Sequence, residues 1–208
     1  MRTLLLLVLC AASFTAASLH GQASPYEIKR RNDCRLAEQV LRAGHPAPHL
    51  RWAGGLARYC PSSGAAVAEA MNRNRTSADT ALLNAITLPM MNLRDGRVYD
   101  MALDVARDKT ASVPARMFAI RALVWALEPG GVIEYADLAD EWPEGRQRIC
   151  TRGTPLHLIL TRGEPVSANL GEVINKFGEQ TESDASEPRP IRRAAFCARI
   201  SAVDLTDR

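Results

Sequence analysis

Four arginines stand on two apolar stretches of this chain. Arg51 and Arg58 are seven residues apart, and Arg116 and Arg121 are five apart. A guanidinium is planar and permanently charged, and it grips carboxylate or phosphate through paired N–H donors. The competing reading is that each arginine pairs with a neighbouring Asp or Glu and holds adjacent helices in register.

Other residues with chemical potential are weaker candidates. Asp100, Asp104 and Asp108 fall four apart, a spacing that places them on one helical face. Arg97 and Arg107 interleave with them, and Val98, Met101, Ala102 and Val105 lie opposite, which describes a solvated face better than a cation site. His45 and His49 have metal-ligand spacing, but Pro46 and Pro48 break the helix that would align them. His157 is isolated. Ser62-Ser63-Gly64 and Gly153-Thr154-Pro155 lack the G-x-S-x-G turn and an arguable His–Asp partner. Asn74-Arg75-Thr76 matches the N-glycosylation pattern. No phosphate-cradling glycine motif occurs. The expectation is therefore no catalytic residue, no metal and no cofactor.

The elements that must position the arginines are helical. In Val113–Leu127 the apolar residues Val113, Met117, Ile120, Val124 and Leu127 step by four, three, four and three, one face of a helix. Pro114 suits its first turn, and Glu128-Pro129-Gly130-Gly131 stops it. Further helices are expected over Pro25–Ala43, about Pro48–Tyr59, Ala65–Asn72, from Ser77 with a break at Pro89, and over Arg97–Lys109. After Gly131 the rhythm weakens. Val132–Trp142, Pro165–Phe177 and Pro190–Ala202 carry apolar residues at helical spacing, and 180–190 reads as a polar, proline-bearing loop. Strand alternation is scarce, and aromatic content is only 5%, so the core must be aliphatic and Ala-rich.

Composition bounds the partners. With 208 residues and a net charge of +3, the chain lacks the basic excess of a nucleic-acid domain. Residues 1–23 read as a secretory signal: Arg2, an apolar run from Leu4 to Phe14 too short to span a bilayer, and Gly21-Gln22-Ala23 before the cut. Leu9 is too bulky to precede a lipidated Cys10. The mature chain is expected to be exported, periplasmic or secreted, with no membrane span. Four cysteines remain, Cys34, Cys60, Cys150 and Cys197, and an even count in an exported chain favours disulfides. Cys34 lies ten residues before Gly44 and Cys60 fourteen after Pro46, so in an antiparallel hairpin they come level. Cys34–Cys60 is expected on that ground, and Cys150–Cys197 by elimination.

Helix starts near 48, 77 and 113 give an irregular repeat of two-helix units. Pro114-Ala115-Arg116-x-x-Ala119-x-x-Ala122-Leu123 and His49-Leu50-Arg51-Trp52-Ala53-Gly54-Gly55-Leu56 resemble the HEAT/armadillo-like class over residues 46–127. The resemblance implies an all-α fold: a short right-handed α-solenoid of antiparallel helix pairs. Its organisation would be a signal at 1–23, repeats at 24–131, and a helical extension at 132–208 packed on the repeats. It also implies that the helices bearing Arg51, Arg58, Arg116 and Arg121 line a concave binding groove. The expected function is a protein- or peptide-binding scaffold without catalytic activity. The alternatives are an exported, hydrolase-like enzyme with a site between the repeats and residues 143–190, drawing on Asp137, His157 or Glu164, and a structural part of an envelope assembly.

Overall fold

The computed structural model describes residues 25–44, 47–91, 93, 95–127 and 168–206. The chain divides into two compact units, Met1–Asp33 and Cys34–Arg208. Of the first, the described residues are the opening turns of a helix whose Tyr26, Glu27 and Lys29 are exposed. The rest of this account concerns the second unit.

Every regular element among the described residues is helical. In chain order they are α1 Pro25–Ala43, α2 Ala47–Ala57, α3 Gly64–Arg73, α4 Thr80–Thr87, α5 Gly96–Arg107, α6 Val113–Leu127, α7 Ala168–Ser183 and α8 Arg189–Thr206. Local chemistry sets their ends. Gly44 takes φ +70° after α1, a conformation that costs glycine little. The Asp79 carboxylate accepts from the backbone N–H of Ala81 and Leu82 at 2.9 and 3.1 Å and starts α4. Asp95 accepts from the Arg97 N–H at 3.0 Å and starts α5. Ser112 Oγ accepts from the Ala115 N–H at 3.1 Å at the head of α6.

Pro89 ends α4, and the chain tightens into a 3-10 turn over Leu88–Met91. Proline has no N–H to offer the Ala85 carbonyl one turn back. That oxygen lies against α2, where a Cβ on Gly54 would sit 2.0 Å from it. One residue thus ends a helix, and the glycine opposite allows its neighbour to close on it.

The helices make two interleaved series of contacts. α2 packs on α4, α4 on α6, and α6 on α8. α3 packs on α5, and Arg107 of α5 stacks on the Phe177 ring of α7 at 5.9 Å. α5–α6 and α7–α8 are neighbours in both sequence and space. The second half of α1 joins through Arg42 to Glu69 of α3 at 2.8 Å, and through Arg73 donating to the Leu41 carbonyl. Cys34 and Cys60 are disulfide-bonded, with Cα atoms 5.6 Å apart. The Cys150–Cys197 pairing lies outside the described residues, because Cys150 does; Cys197 itself is fully buried.

Small side chains line the seams: Ala53, Ala57, Ala85, Ala119 and Ala122 are all buried, which lets backbones approach closely. Larger residues such as Leu41, Ile86 and Ile120 fill the space between, each contributing about 1.5–3 kcal/mol by burial.

Two stretches differ from their sequence reading. The spacing in α6 gives it one apolar face, yet Ala115 to Ile120 are buried without interruption. α4, α5 and α8 enclose it, as expected of a helix that is apolar all round. The polar stretch 180–190 is the end of α7, a short turn and the start of α8. Within the turn Asp184 Oδ1 accepts from the Ser186 N–H at 2.9 Å, and the Glu187 N–H donates to the Asp184 carbonyl at 3.1 Å. Polar composition there supplies turn-forming bonds, and Glu187 is drawn into the interior.

Glu187 meets Arg116 in a buried two-point pair, with Nη1 to Oε2 2.7 Å and Nη2 to Oε1 2.9 Å. Removing one partner strands the other charge. Glu187→Ala is expected to destabilise the fold by about 3–5 kcal/mol in chemical denaturation. A loss no larger than that of an exposed Glu69→Ala would show that the pair is not structural. Non-reducing peptide mapping is expected to join Cys34 to Cys60. Replacing both by Ala should cost about 2–4 kcal/mol; an unchanged midpoint would contradict that.

Candidate binding surface on α2, α4 and α6

The four arginines meet different fates. Arg116 is 3% exposed. Besides its two bonds to Glu187, its Nε donates to the Ala106 carbonyl at 2.9 Å. It therefore takes the structural course, tying α6 to the end of α5 and to the α7–α8 turn, and it is not presented to a groove. Arg51 is exposed on α2 and makes no ion pair among the described residues. Arg58, just past α2, lies over the Tyr59 ring at 4.5 Å and donates to its hydroxyl. Arg121 is partly buried on α6.

Arg121 stacks on two rings of its own helix, 4.3 Å from the Phe118 centroid and 4.5 Å from that of Trp125. Helical spacing of three and four residues brings them together. Nη2 donates to Asn84 Oδ1 on α4. Its Nε is buried without a hydrogen-bond partner among the described residues, as is Trp125 Nε1, and Trp125 is only 6% exposed. No carboxylate among the described residues pairs with Arg121. Desolvation pushes its pKa down to about 10, because the charged form has lost water without gaining a counter-charge.

The other candidates are spent locally. Arg75 bridges Asp104 at 2.7 Å and Asp108 at 2.8 Å, so two of the three spaced aspartates fasten the α3–α4 loop to α5. The sequence reading paired them with arginines of their own helix instead. Ser63 Oγ donates to the Ala57 and Cys60 carbonyls at 2.9 and 2.8 Å, and Ser62 Oγ to Glu38 at 2.7 Å. The Asn74 amide of the sequon donates to the Ala70 carbonyl at 2.8 Å and closes α3. His49 is exposed at the start of α2. Asp137, His157, Glu164 and the rest of 143–165 lie outside the described residues, as does His45.

One signal in the sequence went unread. α2, α4 and α6 contain Arg51, Arg116 and Arg121 and not a single Asp or Glu. Between Glu38 and Glu69 there is no acidic residue at all, while Arg42, Arg51 and Arg58 fall in that interval. The helical acids sit on α1, α3, α5, α7 and α8. Contact of α2 with α4 and of α4 with α6 joins three acid-free helices, of which α4 is uncharged, and only Arg116 among their arginines has a carboxylate partner among the described residues. Beside Arg51 and Arg58, Trp52 and Tyr59, seven residues apart, are 46% and 55% exposed.

Acidic side chains elsewhere are bound tightly. Lys109 Nζ reaches Asp184 at 2.8 Å and Ser186 Oγ at 3.0 Å. The hydrogen bond from Lys109, then those from Ser186, hold the Asp184 carboxyl well below its ordinary range. Asp95 is lowered first by Arg97, and Asp108 first by Thr110. Carboxyls depressed in the folded state add stability above their unfolded pKa of about 4, and lose it as pH falls towards the folded values. The melting temperature is therefore expected to be level near neutrality and to fall below about pH 4, with Asp184→Asn blunting the fall. A profile unchanged by Asp184→Asn would remove Asp184 as a contributor. No family model, curated protein or solved structure matches this chain.

Proposed function

We propose that the chain is an exported helical-repeat scaffold, and that it binds an acidic protein or peptide segment along α2, α4 and α6. The observation that carries the reading is the charge distribution: three helices in serial contact carry no acid, and the outer two, α2 and α6, bear Arg51, Arg116 and Arg121. A peptide rich in Asp or Glu would complement that field, which steers encounter and selects against basic partners. Trp52 and Tyr59 supply flat apolar contact beside the guanidinium groups, the residue mixture that anchors protein interfaces.

The architecture in this reading is a HEAT-like solenoid. Contacts of α2 with α4, α4 with α6 and α6 with α8, alongside α3 with α5, support it, since stacked two-helix units pair each helix with the second one along. α7 and α8 extend the stack. Export is supported by the Cys34–Cys60 disulfide and the leader-like residues 1–23. No helix among the described residues is long and apolar enough to cross a membrane.

Arg51 and Arg58 are the positions to reverse, since reversal at Arg116 would face Glu187 and unfold the interior. Fluorescein-labelled hexaglutamate should bind the wild-type chain with an affinity that falls as salt rises. Arg51→Glu with Arg58→Glu should weaken it at least tenfold at an unchanged melting temperature. Equal affinity in the two proteins, or no binding of hexaglutamate to the wild type, would overturn the reading.

A further inference from the structure

Arg121 combines features that point to a bound anion. Its guanidinium is stacked by Phe118 and Trp125, which occupies the faces and leaves the in-plane N–H donors to choose a partner. One of those donors is met by a neutral acceptor, Asn84 Oδ1. Among the described residues Nε has no acceptor, and neither does the buried indole N–H of Trp125, in the ring 4.5 Å away. Two buried donors left unmade on adjoining groups cost about 1–3 kcal/mol each, an expense an arriving acceptor would remove. Arg121 as a whole residue is only partly buried, although the two donor atoms themselves are covered.

We propose that Arg121 and the Trp125 indole N–H form a carboxylate-binding subsite, which receives one acidic side chain of the segment bound along α2, α4 and α6. The inference rests on that reading of the surface. A carboxylate suits the site because its two oxygens can accept from two separate donors at once, one on the guanidinium and one on the indole. Asn84, exposed on α4, holds the guanidinium in place through Nη2 and so acts as a positioning residue.

The indole N–H resonances report this directly. The chain has three tryptophans, and Trp125→Phe assigns the cross-peak. Glutarate, titrated at constant ionic strength, should shift the Trp125 N–H peak saturably. Arg121→Met should abolish the shift. Asn84→Asp, an exposed substitution that keeps the fold, places a competing carboxylate on Arg121 and should weaken glutarate at least tenfold. No saturable shift, a shift that survives Arg121→Met, an Asn84→Asp chain that binds glutarate as wild type does, or an equal shift with inorganic phosphate would each overturn the subsite. Hexaglutamate that binds through Arg51 and Arg58 while the Trp125 peak stays still would sink the subsite and leave the surface standing.

Discussion

The buried pair between Arg116 and Glu187 holds the described helices to one arrangement. Both side chains are almost fully enclosed, and ions so placed have surrendered most of their hydration. Their attraction offsets that cost only with good geometry, here two near-parallel N–H to oxygen bonds and a third bond to the Ala106 carbonyl. The third bond matters as much as the other two. It satisfies a carbonyl at the end of α5, so a single guanidinium sets the spacing of α5, α6 and the α7–α8 turn. Lys109 approaches the same carboxylate at 3.8 Å and anchors the turn from outside through Asp184. A slide of α8 along α6 by one turn would leave two unpaired charges in the interior.

Around that pin the packing is close and the chemistry is sorted. Alanines at the seams allow helices to approach, and the Gly54–Ala85 contact is the extreme case. Such seams have little room for long charged side chains, so apart from Arg116, Glu187 and Arg193 most charged residues among those described lie at the surface or are only partly covered. There charge is unevenly spread: α1, α3, α5, α7 and α8 carry both signs, while α2, α4 and α6 carry no acid. Arg75 and Arg42 show what happens where both signs meet, since each closes ion pairs with the neighbouring helix. Arg51 and Arg121 stand where no acid was supplied.

Much of the fold was legible because its signals are local. The limits of α6 follow from Pro114 and the Glu128-Pro129-Gly130-Gly131 run, the break in α4 from Pro89, and the end of α1 from Gly44. Cys34 and Cys60 were readable as a pair from their spacing about the Gly44–Pro46 turn, and they are bonded. The fate of Arg116 was not legible. Its partner lies 71 residues away, in a stretch whose Ser, Asp and Pro content reads as an open loop. The environment of Arg121 was hidden for a related reason: periodicity places it off the apolar face, but Asn84 and the enclosure of Trp125 are tertiary facts. The acid-free composition of the α2, α4 and α6 stretches was present in the sequence all along, and became meaningful once those helices were seen to touch.

The separation of Arg116 from Glu187 also has a temporal meaning. A chain made or threaded from its N-terminus presents α6 long before the residue that neutralises it. During that interval the helix with the most apolar surface carries an uncompensated guanidinium, and its enclosure by α8 cannot be completed. The pair closes over 71 residues, so the entropy of bringing its ends together must be met before the contact stabilises anything.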